Sequence, residues 1–254
     1  MIKFAKSLLV AGLMLAPTVS AAAQDMTPAE RAKIETVVHD YLMQHPEVII
    51  QSIQELQRRQ TVAQMLPTIN LYRDYLEHEK GAPVLGNPNG DVTIVEFFDY
   101  RCPYCKHSFP VLQKLMKEDG NIRLVPRQYP ILDRPGAPAV SLMAAKAALA
   151  SNLQGKFAEF HDALMAYPDR LTEDGLYKVA ASVGLNVDKL KADMKDKMIE
   201  KSIQNTLAIG KDIGFNGTPG YIVGDDIILG AEGYDRLKQA VDRARADAAK
   251  KAKQ

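Results

Sequence analysis

Ile94-Val95-Glu96-Phe97-Phe98-Asp99-Tyr100-Arg101-Cys102-Pro103-Tyr104-Cys105 is the stretch on which the reading of this chain turns. Val92 to Phe98 is a short run rich in β-branched and aromatic residues, bounded on one side by the turn-forming Gly86-Asn87-Pro88-Asn89-Gly90. Such a run reads as a buried strand. Immediately after Cys105, Val111, Leu112 and Leu115 fall at helical spacing, and Ile122 to Tyr129 reads as a second strand. Strand, helix and strand in this order imply a parallel pair joined by a right-handed crossover.

The position of the cysteines decides their chemistry. The chain has two, three positions apart. A bridge between them closes so short a loop that it removes little entropy from the unfolded chain, which makes it a poor staple. A redox role fits better. At the junction of strand and helix, the Cys102 sulfur lies at a helix N-terminus, where free backbone N–H groups and the helix dipole favour an anion. A lowered pKa makes Cys102 both nucleophile and good leaving group. Cys105 sits one turn on, more buried, as the resolving thiol. Pro103 is harmless there, because an N–H in the first helical turn has no intrahelical partner. The rival reading of C-x-x-C is half of a zinc site, which needs four ligands. His39, His45, His78, His107 and His161 form no second paired motif with the cysteines. No metal is therefore expected.

Two further features surround the pair. Glu96 stands in an apolar strand, and alternation would point it inward beneath the cysteines, where a buried acid could move protons for the buried thiol. An edge-facing, solvated Glu96 is the plainer alternative. Arg127 on the second strand is a candidate charge partner. Gly217-Thr218-Pro219-Gly220 precedes a short strand at Tyr221 to Val223, which a turn at Gly224-Asp225-Asp226 joins to Ile227 to Leu229 as a hairpin. The base rate for X-Pro bonds favours trans at Thr218-Pro219.

Outside this core the chain of 254 residues is 46% hydrophobic and 25% charged, with a formal charge of +1. That balance suggests no nucleic-acid partner. Lys3, Lys6, the apolar Leu8 to Leu15 and the small Ala21-Ala22-Ala23 have the layout of a secretory signal peptide over residues 1–23, cleaved near Ala23. Its removal turns the charge from +1 to −1. No later stretch is long and apolar enough to span a bilayer. Residues 24–83 read as a helical arm. Thr27-Pro28-Ala29-Glu30 is a helix start, and the apolar stripes at Ile34, Val37, Val38, Tyr41 and Leu42, at Ile49, Ile53 and Leu56, and at Ile69, Tyr72 and Leu76 are expected to be separated by breaks at Pro46 and Pro67. So thin an arm builds little core alone. It packs on the body or, as its amphipathic helices favour, on another copy. Residues 84–254 form the main domain, mostly helical from about 136 to 212, with a final helix from Tyr234 whose basic end suits a helix C-terminus.

The export signal, E-F-F-D-Y-x-C-P-Y-C, a long helical stretch and G-T-P before a hairpin resemble the DsbA-like thioredoxin-fold oxidoreductases of the bacterial periplasm, over about Val84 to Ala244. The arm, with Tyr41-Leu42-Met43-Gln44-His45-Pro46-Glu47-Val48, resembles the N-terminal extension of the ScsC-like subgroup. The resemblance implies an α/β thioredoxin fold with an inserted helical domain. It implies Cys102 as nucleophile, Cys105 as resolving thiol, Glu96 as the buried acid, a cis Pro219 beside the disulfide and Thr218 offering backbone groups to an extended peptide. In many relatives a lysine stands at the position of Arg127. No cofactor is implied. Tyr104 and Thr218 look more like the isomerase and ScsC-like members than the oxidase type. The expectation is a periplasmic homo-oligomer, assembled through the N-terminal helices, acting as isomerase or reductase on unfolded or misfolded exported proteins and kept reduced by a DsbD-like membrane partner. The alternatives are a dithiol oxidase reoxidised by a DsbB-like partner and, from another class, a copper-binding or copper-protecting module using both thiolates as soft ligands.

Overall fold

The structure, a computed structural model, describes residues 26–253; the expected signal peptide lies outside them. The described chain divides into two compact units, one ending at Ser52 and the other running from Ile53. In the first, α1 (Pro28–Gln44) begins at Thr27, whose side chain accepts from the Glu30 N–H while Glu30 reaches back to the Thr27 N–H. No residue of α1 is buried, and Ile34, Val37, Val38, Tyr41 and Met43 are all at least half exposed.

After Pro46 the chain enters α2 (Glu47–His78), which runs for 32 residues. The break expected at Pro67 is absent: Pro67 lies inside this helix. A helix-interior proline costs about 3 kcal/mol through a lost hydrogen bond and a ring clash. Met65, Ile69 and Leu76 around it are buried, and each such side chain contributes about 1.5–3 kcal/mol. Packing therefore outweighs the local penalty. Because the second unit starts at Ile53, most of α2 belongs to the body that carries the cysteines.

That body is built on one sheet. β2 (Val92–Phe98) and β3 (Ile122–Gln128) are parallel, joined by α3 (Pro103–Asp119). The chain leaves α3 at Gly120, whose φ of 73° would strain any other residue. β4 (Gly220–Val223) pairs antiparallel with β2 and forms a hairpin with β5 (Asp226–Leu229). A two-residue edge strand, β1 (Leu85–Gly86), pairs with β3; it is too short for a sequence pattern to announce.

Alternation along the strands sends side chains to two faces. Val92, Ile94, Ile122, Leu124, Tyr221 and Val223 pack with α3 and with α9 (Tyr234–Lys251). Val95, Phe97, Val125 and Ile222 pack with α2 and α8 (Lys197–Ile213). Between β3 and α8 stand α4 (Val140–Asn152), α5 (Phe157–Met165), α6 (Glu173–Ser182) and α7 (Val187–Asp193). Their core is continuous with Phe98, Tyr100, Cys102 and Cys105. The arrangement is a thioredoxin-like fold of the α/β class with helices inserted after β3, as expected. Among the described residues, no helix is long and apolar enough to cross a membrane.

Candidate active site

β2 ends at Phe98, and the next residues turn the chain into α3. Asp99 fixes that turn. Its buried carboxylate accepts from the Arg101 N–H at 2.8 Å and the Leu132 N–H at 3.1 Å, while its carbonyl accepts from the Cys102 N–H at 3.0 Å. Cys102 is the N-cap of α3, with φ −76° and ψ 119°, and Pro103 takes the first helical position. No side-chain oxygen caps this helix, so its first N–H groups are free to face a sulfur anion.

Both sulfurs are free thiols and both are buried. The hydrogen bond from Cys105 is the largest influence on the Cys102 thiol and draws its pKa down to about 6; the contact with Thr218 and the N–H groups of Cys105 and Tyr104 add to this against the cost of burial. Cys105 is pushed strongly the other way, first by burial, then by its bond to Cys102 and by the charge of Glu96. The site thus holds one thiol ready to ionise and one that resists ionisation. The Cys102 Sγ–H lies 3.2 Å from the Thr218 carbonyl oxygen, which accepts from it. The Thr218-Pro219 bond is cis, in line with the resemblance and against the base rate. Tyr104, by contrast, is 67% exposed, two positions after Cys102.

Glu96 points inward: it is 1% exposed, which removes the solvated-edge alternative. Burial pushes its carboxyl up to about 7, opposed by the hydroxyl of Tyr221, its partner in the β2–β4 ladder. That hydroxyl also lies 2.7 Å from the Ser108 Oγ of α3. The other carboxyl oxygen, Oε1, has no protein hydrogen-bond partner.

Arg127 is not the partner of Glu96. In the parallel ladder it stands opposite Phe97, while Glu96 stands opposite Pro126. Adjacent positions on a strand face opposite sides of the sheet, so the guanidinium emerges on the α2 side. There its Nε and Nη2 donate to the Leu76 carbonyl at 2.9 and 2.7 Å, with further bonds to the Tyr75 carbonyl and the Glu79 carboxylate. Arg127 closes the last turn of α2, where carbonyls lack intrahelical donors.

The structure thus brings Cys102, Pro103, Tyr104, Cys105, Thr218 and Pro219 together, with Glu96 behind them. Tyr221, Ser108 and Asp99 were not expected as neighbours. Asp99 is adjacent in sequence, and its place between strand and helix was a usable signal for a turn-fixing carboxylate; Tyr221 and Ser108 arrive by sheet register and helix packing. His161, considered only as a metal ligand, is buried on α5 with its Nδ1 3.0 Å from the Tyr100 hydroxyl. Among the described residues, no three or more His, Cys, Asp or Glu groups are placed to hold a metal.

The model of the DsbA-like thioredoxin domain matches residues 93–242, and that of the copper resistance protein ScsC N-terminal domain matches residues 30–62. A thioredoxin-like oxidoreductase from Silicibacter pomeroyi DSS-3 is 44% identical, with a TM-score of 0.65 over 68% of this chain and 98% of that one. A Proteus mirabilis ScsC variant with a linker deletion is 25% identical, with a TM-score of 0.65 over 90% of this chain and all of that one. A Na(+)/H(+) antiporter, NhaA 3 of Salinispora tropica, is 30% identical over 176 residues, 69% of this chain; the chain spans about a quarter (25%) of that protein's length. With a free cysteine at the head of α3, a cis proline beside it and a family match spanning most of the sheet and its inserted helices, the chain belongs to the DsbA-like thioredoxin family and carries a ScsC-type N-terminal domain.

Proposed function

We propose that this protein is a thiol–disulfide oxidoreductase of the DsbA/ScsC type, working in the periplasm on exported proteins and acting as a disulfide isomerase or reductase. The observation that carries the exchange chemistry is the placement of two free thiols one turn apart at the head of α3, with the Cys102 sulfur 3.2 Å from the carbonyl oxygen of Thr218 before the cis Pro219; the surroundings favour ionisation of Cys102 and, through burial, disfavour it at Cys105. Cys102 thiolate attacks a substrate disulfide and a mixed disulfide forms. Cys105 then attacks the Cys102 sulfur and releases the substrate thiolate. Glu96 is the acid–base group for Cys105, and Thr218 and Pro219 are the surface that an extended peptide meets.

One feature favours isomerase or reductase over oxidase. The ScsC-type arm presents Ile34, Val37, Val38 and Tyr41 to solvent, which suits self-association and so several redox sites around one misfolded client. The membrane partner on this reading is a DsbD-like electron donor.

Refolding of a scrambled, fully oxidised protein by the reduced full chain tests the proposal. Recovery of native disulfides under catalysis is expected, with loss of that activity in Cys102→Ser. Activity confined to oxidising reduced substrates would move the assignment to the oxidase. Cu(I) binding without any exchange would move it to the copper module.

A further inference from the structure

Cys102 occupies a position that its own side chain is poorly suited to fix. It is the N-cap of α3, in extended backbone with φ −76° and ψ 119°, and no side-chain cap bond holds it there. N-caps are ordinarily Ser, Thr, Asp or Asn, whose side-chain oxygen binds an N–H of the first turn and so fixes that conformation. A cysteine sulfur is a weak acceptor. The first-turn N–H groups are also the ones that favour an anion at a helix N-terminus, so the site works best with no oxygen on them. Some other group has to hold the cap.

Asp99, three positions earlier, meets that need. Its carboxylate is buried, and both oxygens accept an N–H. Oδ1 takes the Arg101 N–H, two residues on, at 2.8 Å, which is the bond of an Asx-turn. The Asp99 carbonyl takes the Cys102 N–H at 3.0 Å and closes a β-turn over the same stretch. Oδ2 takes the Leu132 N–H at 3.1 Å, on the segment after β3. That segment is tied to the sheet, since the Tyr129 N–H bonds the Phe98 carbonyl at 2.9 Å. Asp133 adds a second tie. Its Oδ1 accepts from the Arg101 Nη1 and from the Ser141 N–H, both at 2.9 Å, and its Oδ2 accepts from the Leu142 N–H at 2.9 Å. The turn that delivers Cys102 is thus fastened to the end of β3 and to the start of α4.

We propose that Asp99 is a positioning residue of the site: it holds Cys102 as the N-cap of α3 without a capping side chain, so that the sulfur lies against the free N–H groups of the first turn and beside the Thr218 carbonyl. The assignment rests on the thiol–disulfide exchange proposed above and concerns its first step. There the Cys102 thiolate attacks one sulfur of a substrate disulfide. The bond from Cys102 to that sulfur forms, the substrate disulfide bond breaks, and the electron pair leaves on the other substrate sulfur. A displaced Cys102 loses the helix N-terminus that stabilises its thiolate.

Position and charge act in opposite directions, which makes them separable. A carboxylate near a thiolate disfavours it. Deleting Asp99 for its charge alone would therefore ease ionisation of Cys102, whereas deleting its hydrogen bonds hinders it. The charged groups facing Asp99 are Arg101 and Asp133, which pair with each other. Cys105 faces Cys102, and the charge of Glu96 acts on Cys105.

The test measures alkylation of Cys102 by iodoacetamide in the reduced full chain from pH 5 to 9, in the wild type, Asp99→Ala and Asp99→Asn. Asp99→Ala is expected to move the rate profile to higher pH and to slow alkylation at pH 6 about fivefold, the scale of a helix N-terminus acting on an anion. Asp99→Asn keeps a side-chain oxygen for the Arg101 N–H and is expected to recover most of that rate. Lost stability alone lowers the urea midpoint of a variant and leaves its profile in place. An Asp99→Ala profile that matches wild type, or that moves to lower pH, would overturn the proposal. So would an Asp99→Asn profile displaced as far as that of Asp99→Ala. If Asp99→Ala does not fold, Asp99→Asn decides alone: alkylation at pH 6 within about twofold of wild type upholds the proposal, and a larger change in either direction refutes it. Mixed-disulfide formation between the wild-type chain and glutathione disulfide is followed in parallel. If it forms, a negative alkylation result removes the role of Asp99 and leaves the exchange reading standing. If it does not form, the exchange reading itself fails.

Discussion

Phe97 and Arg127 are register partners in the parallel β2–β3 ladder. Their pairing places the Arg127 guanidinium on the sheet face opposite Glu96, where it caps α2 instead of pairing with that acid. Arg127→Met is therefore expected to lower stability by about 3 kcal/mol, the range for breaking a buried, hydrogen-bonded ion pair. It should leave the Cys102 titration unchanged. Urea unfolding and thiolate absorbance measured on the same variant check both halves; a shifted Cys102 titration would contradict the geometry.

Glu96 and Cys102 bend the pH dependence of stability in opposite directions. The Glu96 pKa rises from 4.5 unfolded to about 7 folded. Between these values the native state holds a proton that the unfolded state has lost, so stability falls with rising pH. The fall is on the order of 3 kcal/mol. For Cys102 the pKa drops from 9.0 to about 6. Across that window the unfolded state holds the extra proton, so stability rises by on the order of 4 kcal/mol. Under reducing conditions the dithiol protein should show a stability minimum near neutral pH. Glu96→Gln should abolish the acid-side fall and Cys102→Ser the alkaline rise. Denaturant midpoints from pH 4 to 9 provide the measurement.

Removing the resolving thiol also removes the main support of the thiolate, because the bond from Cys105 is the largest cause of the low Cys102 pKa. In Cys105→Ala the Cys102 pKa is expected to climb from about 6 by about one unit or more. The helix N-terminus and Thr218 remain to hold it below its ordinary value. The same variant should accumulate mixed disulfides with clients. Iodoacetamide rates against pH give the first result, and non-reducing gels the second.

Ile34, Val37 and Val38 are exposed on α1. If the arm assembles copies of this chain, Val37→Asp with Ile34→Asp should reduce the mass found by sedimentation. Thiol chemistry at Cys102 should persist while catalysed isomerisation is lost. Unchanged mass in the double variant would remove the arm from the assembly.

What could be read directly was local. The strand from Val92, the cysteine pair at the head of a helix and the inward-pointing Glu96 all follow from neighbours within a dozen residues, where alternation and helix spacing act. The cis bond at Pro219 followed from family resemblance and not from any local rule. Pro67 was misread because its local penalty is set against burial of Met65, Ile69 and Leu76, which only packing supplies.

The opening motif alone determined that this chain carries a redox cysteine pair on a strand–helix junction, because a helix N-terminus and a three-residue spacing are properties of contiguous chain. Tertiary structure alone decided what surrounds that pair. The Thr218 carbonyl lies 116 residues from Cys102 and yet 3.2 Å from its sulfur. Tyr221 meets Glu96 by sheet register, and Asp162 shares a cavity with it through the packing of α5. Arg127 is turned away by a single step of strand alternation. Each depends on which face a residue presents once strands pair and helices dock, and that is settled by the packing of the whole core.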